Sequence, residues 1–583
     1  MTRFVNVHLL RSAEIPAGLA RVAVAHKDKT QKSRRYWRQS LRLTMRFGPR
    51  YPRHPFLQGG TVVDIVLINP RFEASYWGME HALELVGFRA NMPVAALPLI
   101  AALTPAEHTV TIFDENVEEI DFDRCACADI VGMTGMTVQR FRMTQILTEL
   151  KRRGCFVALG GPWVPVKEDY FGDLADVVFV GEAETTWPQF LEDWRSGAQA
   201  ARYEQSERTD MTKVPVPRHE LLKIKHYALG TIQFSRGCPF MCEFCDIIVT
   251  FGRKPRIKTV PQIIAELDAL HRVARKNMAF IVDDNLIGNK KAVKAILRAI
   301  IAWQEDNNYP ITFITEASLD LADDEELLEL MDLANIRSVF VGIETPNEEA
   351  LKETKKTQNL RNSNRTIPEK IHAIQAHGIE VFGGMMLGFD SDDETIFDRQ
   401  LKMVEEARIV HSAVGMVTAI PKTPLYDRLE RENRLDHADR TEYGTNAIPL
   451  KIGREALRDG YLRVLGELYS PANFFGRLDA LYLEGGLGHS RLHHGGHNDG
   501  QLRNAARRLG AFAAGAFVFT YLQLRIQKPE LRRAYRQAAA RVLRRRPDPF
   551  VFQAYALKMA AHYHYDTLIS RMMTSDGHLI NMF

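Results

Sequence analysis

Cys238, Cys242 and Cys245 fall within the eight residues Cys238-Pro239-Phe240-Met241-Cys242-Glu243-Phe244-Cys245, half of the six cysteines in a 583-residue chain. This C-x3-C-x2-C run follows the apolar Leu229–Phe234, so a strand feeds a tight, glycine-started loop carrying three thiols. Three thiolates suit iron and can hold three corners of a cubane iron–sulfur cluster. The loop offers no fourth cysteine, which leaves one iron open for another ligand. A zinc ion drawing a fourth ligand from elsewhere is the other metal reading. Three chance cysteines in a core loop is the non-metal one.

The spacing resembles the signature of radical S-adenosylmethionine enzymes. That resemblance implies a [4Fe-4S] cluster on Cys238, Cys242 and Cys245, with S-adenosylmethionine on the open iron through its amino and carboxylate groups. An electron from the cluster then cleaves the sulfonium to a 5′-deoxyadenosyl radical, which calls for an electron donor such as flavodoxin or ferredoxin.

Loops of this kind need strands to aim them. Residues 227–435 read as six strand–helix units, with strands at Leu229–Phe234, Ala279–Val282, Thr312–Thr315, Ser338–Gly342, Val381–Leu387 and Ala413–Ala419. Six such units make a partial (β/α)6 barrel, with chemistry expected at the carboxyl ends of its strands. Asp283, Asp284 and Asn285 end the second strand, Glu316 the third, and Gly342 with Glu344 the fourth. By resemblance the Asp283-Asp284-Asn285 loop stands where the superfamily binds the amino group of S-adenosylmethionine. Glu316, Gly342 and Glu344 are candidates for its amino and ribose groups, and Phe240 and Phe244 for shielding the cluster and stacking near adenine. Arg236 reads equally as a cofactor contact or a salt bridge.

Residues 61–200 also alternate. Val62–Asn69, His108–Phe113, Ile130–Thr134, Phe156–Leu159 and Val177–Val180 are short, β-branched and apolar, with helical segments between. The pattern predicts a flavodoxin-like, doubly wound parallel sheet that binds its ligand at the carboxyl ends of the strands. The loops there carry Thr134-Gly135, Gly160-Gly161 and Gly181-Glu182, whose glycines admit a bulky ligand and whose polar groups suit phosphate or ribose. Placed before a radical S-adenosylmethionine core, they resemble a cobalamin-binding domain, with Thr134, Gly135, Gly160, Gly161, Gly181 and Glu182 as expected contacts. The family's Asp-x-His-x-x-Gly motif is replaced by Asp114-Glu115-Asn116-Val117-Glu118-Glu119, which has no histidine for cobalt. Methylthiotransferases place a cysteine-bearing α/β domain in the same position. Here Cys125 and Cys127 stand only two apart, so these and Cys155 are expected in the core.

Residues 201–226, with Pro215 and Pro217, read as a linker. Beyond 436 the alternation gives way to helices at Arg454–Tyr469, Gln501–Gln527, Pro529–Arg544 and Phe550–Met573, an all-α C-terminal domain over 436–583. A similar extension marks the branch that includes hopanoid C-2 methylases. His489, His493, His494 and His497 lie in a glycine-rich stretch expected to be a mobile surface loop. Residues 1–60 hold 13 Lys and Arg against Glu14 and Asp28, within a chain of formal net charge +4. They read as a basic, weakly ordered extension, so charge is no fold-wide sign of nucleic-acid binding. Six cysteines, three of them clustered, do not suggest a disulfide framework, which fits a reducing cytoplasm, and no apolar run reaches membrane-span length. Ala511–Leu524 with the basic Arg541–Arg546 run could rest on a membrane periphery.

Three functions follow. The first is a cobalamin-dependent methyltransferase acting on an unactivated carbon of a hopanoid-like lipid or natural product. The second is an oxidative cyclase or rearrangement enzyme with the same cofactors. The third is a cobalamin- or cluster-based sensor whose basic arm binds nucleic acid.

Overall fold

The computed structural model describes residues 62–274, 278–360, 364–487 and 501–574, with Leu579. The basic arm and the histidine-rich stretch 488–500 lie outside the described residues.

Strands β1 (Asp64–Asn69), β2 (Thr109–Asp114), β3 (Ile130–Met133), β4 (Val157–Leu159), β5 (Val177–Val180) and β6 (Arg202–Glu204) form one parallel sheet in the order β2-β1-β3-β4-β5-β6. Both faces are covered, which is why the inner strands β1, β3, β4 and β5 are near-continuously apolar rather than alternating. Ile65 and Leu67 pack with Trp187 and Phe190 on one face, while Val66 and Ile68 pack with Ile146 and Leu147 on the other. The sixth strand falls within 201–226, past the alternating segment. It has three residues, of which only Tyr203 is buried, stacked on Phe179 at 5.5 Å. One inward aromatic between two exposed charged residues gives little periodic signal.

The second sheet opens with β7 (Gly230–Ile232). A ribbon of β8 (Ser235–Arg236) antiparallel to β9 (Arg256–Ile257) follows, and no sequence pattern announced it. The sheet continues with β10 (Met278–Ile281), β11 (Thr312–Glu316), β12 (Ile336–Glu344), β13 (Glu380–Leu387) and β14 (Ser412–Met416). Its order β14-β13-β12-β11-β10-β7 is fully parallel, the open barrel that six βα units predict. Val339, Val341 and Ile343 join the helix-side core, so by strand alternation Phe340 and Gly342 face the barrel interior. Among the helices outside, Lys290–Asp306 starts on Asn289, whose side chain accepts the Ala292 N–H, and Glu325–Leu333 starts on Asp324 in the same way. Each such cap is worth about 1 kcal/mol.

The C-terminal region contains α1 (Arg454–Leu468), α2 (Pro471–Asp479), α3 (Gln501–Arg525), α4 (Pro529–Arg545) and α5 (Pro549–Thr574). Their core is continuous with the barrel's outer core. Helix α2, absent from the sequence reading, is anchored by Arg477, whose side chain is 1% exposed. Its guanidinium donates to the Ile409 and Leu468 carbonyls and pairs with Glu405 at 3.0 Å. From the chain's start, Tyr76 stacks on Tyr565 of α5 at 4.8 Å, and Trp77 meets Phe340 edge-on at 4.8 Å.

Candidate active site

The three-cysteine loop leaves the β8–β9 ribbon at Gly237, whose φ is +93°. A Cβ there would stand 2.9 Å from the Gly252 carbonyl oxygen and 3.1 Å from that of Lys254, so only glycine fits. Cys238 N–H donates to the Gly252 carbonyl (3.3 Å), closing the loop on itself. Cys242 is buried, and Cys238 and Cys245 are partly so. Two amides aim at the sulfurs, Gln358 Nε2 at Cys242 Sγ (3.3 Å) and Asn285 Nδ2 at Cys238 Sγ (3.8 Å). Burial pushes the Cys238 and Cys245 thiols up, so their thiolates need a bound cation in place of the proton. Among the described residues no three Cys, His, Asp or Glu side chains converge on a point where a single ion could sit. Three thiols on one loop can each take a separate iron of a cluster.

The carboxylates expected at the cofactor divide into two groups. Asp283 accepts the Phe234 N–H (2.7 Å) and the Ser235 hydroxyl (2.6 Å), and Asp284 accepts the Gly237 N–H (2.7 Å). Asn285 exchanges hydrogen bonds with Ser318. Asp283 and Asp284 thus brace the cysteine loop from the end of the second barrel strand, and Asn285 ties that end to Ser318 and Cys238. Glu316, by contrast, accepts no hydrogen bond among the described residues and ends β11 beside Asp283 and Asp284. Burial, then those two carboxylates, pushes Glu316 up to about 8, while burial holds Asp283 at about 7 and Asp284 at about 6.

Glu344 sits at φ +68°, a left-handed backbone that costs a non-glycine residue about 1–2 kcal/mol. What holds it is Lys356, whose Nζ lies 2.5 Å from Glu344 Oε1 with both side chains buried. The pair also explains Gly342, because a Cβ there would lie 2.4 Å from Glu344 Oε1 and 2.8 Å from Lys356 Nζ. Burial alone would lower Lys356; Glu344 and the thiols of Cys242 and Cys245 raise it instead. Its ammonium stands 5.8 Å from the Phe244 ring, which packs against Phe389. Phe240 is partly buried between the first two cysteines. Lys356 escaped the sequence reading because Lys355-Lys356 looks like any solvated charge run. Its burial is a tertiary fact.

At the first sheet, Thr134-Gly135, Gly160-Gly161 and Gly181 end β3, β4 and β5. Gly161 has φ +98°, and a Cβ there would lie 2.4 Å from Thr134 Oγ1 and 2.7 Å from Gly135 N. Next to this bare ledge Met136 and Val138 are 49% and 46% exposed. The β2 loop is self-contained: Asp114 accepts from Asn69 (3.1 Å), the Asn116 N–H (2.9 Å) and Tyr227 (2.8 Å). No imidazole is present in it.

Glu182 is engaged in ion pairs with the cysteine-loop ribbon. Its carboxylate accepts Arg236 Nη1 (2.8 Å), Arg256 Nη1 (3.0 Å) and the Thr209 N–H (2.9 Å), and neighbouring Glu184 pairs with Arg236 at 2.6 Å. Arg236 and Arg256 are the paired residues of the β8–β9 ribbon. The loop after β5 thus clasps the base of the cysteine loop, and the salt-bridge reading of Arg236 is the one realised. Any ligand lying on the carboxyl edge of the first sheet is brought toward the three thiols.

Cys125 and Cys155 are core residues, and burial pushes Cys125 up to about 12. Cys127 is exposed, contrary to expectation. These three do not gather into a second metal site.

Residues 232–401 match the model of the radical SAM superfamily, and residues 423–576 match a domain of unknown function (DUF4070). An uncharacterised methyltransferase of Synechocystis sp. is 39% identical over 416 residues, 71% of this chain and 77% of that protein. The hopanoid C-2 methylase of Rhodopseudomonas palustris is 38% identical over 389 residues, 66% of this chain and 73% of that protein. Among solved structures, the radical S-adenosylmethionine methyltransferase TsrM from Kitasatospora setae, with cobalamin and a [4Fe-4S] cluster bound, superposes with TM-score 0.54. The two are 15% identical, and the match covers 73% of this chain and 96% of TsrM, a likeness of fold.

Proposed function

This chain belongs to the radical S-adenosylmethionine superfamily, in the branch of the hopanoid C-2 methylase, and from that premise we propose a cobalamin-dependent C-methyltransferase acting on a polycyclic, hopanoid-like lipid. The observation that carries the reading is the clasp of Glu182 and Glu184 on Arg236 and Arg256, which joins the ligand edge of the first sheet to the cysteine loop. A [4Fe-4S] cluster on Cys238, Cys242 and Cys245 would supply reductive cleavage of S-adenosylmethionine, and cobalamin would supply a transferable methyl group.

The residues fit both groups. The thiols, with donors from Gln358 and Asn285, suit a cluster. The ledge of Gly135, Gly160, Gly161 and Gly181, bordered by exposed Met136 and Val138, suits the broad apolar edge of a corrin. The Asp114 loop contains no histidine that could coordinate cobalt. Glu316 is placed to receive a cationic group, and its carboxylate would ionise as the ammonium of S-adenosylmethionine arrives. Lys356 offsets negative charge on the thiolates. Half-buried Phe340 inside the barrel, with Trp77 against it, gives an apolar wall for a hydrocarbon substrate. Residues 61–200, 227–435 and 436–583 would then serve as cobalamin domain, radical core and substrate cover, reduced by a flavodoxin or ferredoxin.

The test is protein reconstituted without oxygen with iron, sulfide and cobalamin, then given S-adenosylmethionine, reductant and hopanoid lipid. Substrate-dependent S-adenosylhomocysteine and 5′-deoxyadenosine in near-equal amounts support methyl transfer. Deoxyadenosine without S-adenosylhomocysteine refutes it in favour of a cyclase or rearrangement.

A further inference from the structure

Helix α3 is apolar on two opposite faces. Ala511, Val518 and Leu522 are buried in one face, and Gly515 on that face lets α5 approach so closely that a Cβ would lie 3.0 Å from Gln553 Cα. The other face is bare: Leu509, Phe517 and Leu524 are 70%, 64% and 80% exposed, and Phe512 is 42% exposed. No charged residue occurs between 509 and 524. On a helical projection Arg508 borders this stripe on one side, and Arg507 and Arg525 border it on the other. A surface helix of a water-soluble domain carries polar residues opposite its packed face. This one carries leucine and phenylalanine.

Charge identifies what covers it. Residues 501–574 contain 14 Lys and Arg against Glu530, Asp548 and Asp566, a net of +11 in a chain whose total is +4. Arg508, Arg532, Arg533, Arg536 and Arg544 have no acidic partner among the described residues, whereas Arg525 pairs with Glu84 and Arg541 with Asp479. A second copy of the same face would bring like charge against like charge. A helix with Phe and Leu on one face and arginines along its borders is the pattern of a segment lying in a lipid interface, its apolar residues among acyl chains and its guanidiniums on phosphates. No helix of the described residues is long and apolar enough to cross a bilayer. We infer that α3 docks this protein, in plane, on the surface of an anionic bilayer. The inference concerns α3 rather than the cysteine loop and holds whatever the substrate is.

The experiment uses the full reconstituted chain and sedimentation with vesicles of phosphatidylcholine, with or without phosphatidylglycerol. The expected result is binding to the anionic vesicles that weakens with added salt. Arg507→Gln with Arg508→Gln lowers partitioning by about fivefold per arginine. Phe517→Gln with Leu524→Gln lowers it by roughly tenfold or more at unchanged circular dichroism, because both side chains already face water. Three outcomes overturn the inference: no sedimentation with anionic vesicles, binding indifferent to F517Q/L524Q, or a dimer in light scattering that F517Q/L524Q dissociates. The last would make the stripe a subunit interface.

Discussion

Replacing Arg236 by methionine keeps most of the side-chain volume and removes the central cation of the clasp. The side chains of Arg236, Glu182 and Glu184 are 8%, 3% and 9% exposed, so the group is dry. In the wild type two arginines balance two glutamates; in R236M Glu182 keeps Arg256 and Glu184 loses its cation. Removing one partner of a buried pair costs about 3–5 kcal/mol, because the charge left behind stays desolvated. If the cost falls on local opening of the ribbon, amide exchange there rises at least about 150-fold. The assay is hydrogen–deuterium exchange of peptides spanning 230–260, read together with iron bound per chain, since Cys238 lies two residues from the substitution. The double variant R236M/E184M leaves Glu182 with Arg256, a neutral pair, and should return exchange and iron content close to wild type. Exchange in R236M unchanged from wild type, or a double variant as loose as the single, would refute the clasp as the element that steadies the loop.

Lys356→Met leaves Glu344 buried and unpaired and removes positive charge from the field of Cys242 and Cys245. The reduction potential of the reconstituted cluster should therefore fall, and K356M/E344Q should recover part of the drop in an EPR-monitored titration. Glu316, raised to about 8 from an ordinary 4.5, keeps its proton in the folded protein after the unfolded chain has lost it. Its contribution to stability accordingly declines as pH rises from about 4.5 to about 8. Ionisation on ligand binding should release a proton and tighten S-adenosylmethionine binding as pH rises toward 8. Calorimetry in buffers of different ionisation heat checks this, and Glu316→Gln should abolish the proton release. His562 and His564 are held neutral by burial, at about 3 and about 4 against an ordinary 6.5. Below pH 6.5 the unfolded chain binds protons that the folded one refuses, so the helical region should lose stability between about pH 6.5 and 4. Near-ultraviolet circular dichroism reports that loss, and His562→Gln should shrink it.

Elements with strong periodicity were legible before any coordinates. Val62–Asn69 and Val381–Leu387 read as buried parallel strands because both faces need apolar cover, and the four long C-terminal helices read from their length and the end of the strand–helix alternation. Short pieces escaped. Arg202–Glu204 has one inward residue, and Ser235–Arg236 with Arg256–Ile257 is two residues against two. Helix α2 hid behind Pro471, which is favourable at a helix start but reads equally well as a break. Residue type was a good guide to where chemistry gathers and a poor one to what each side chain touches. Asp283, Asp284 and Glu182 are acidic residues at strand ends, and nothing in the linear chain says whether such a carboxylate faces a ligand or a neighbouring N–H.

The outcome has a physical logic. A loop that presents three thiols cannot be stabilised by its own hydrophobic burial, because the sulfurs must stay available. Its backbone must instead be fixed by hydrogen bonds from outside: Asp283 to Phe234 and Ser235, Asp284 to Gly237, and the glutamates of the first sheet to Arg236 and Arg256. Charged donors and acceptors serve well, because buried ionic hydrogen bonds are directional and expensive to break. Two reactive groups held by separate sheets must also keep one separation, since misplacement by about 1 Å can cost about 100-fold in rate. The ion pairs that fix the loop are the same ones that join the two sheets. The carboxylates Asp283, Asp284, Glu182 and Glu184 therefore serve the site by gripping its scaffold, whereas the carboxylate of Glu316 accepts no hydrogen bond among the described residues.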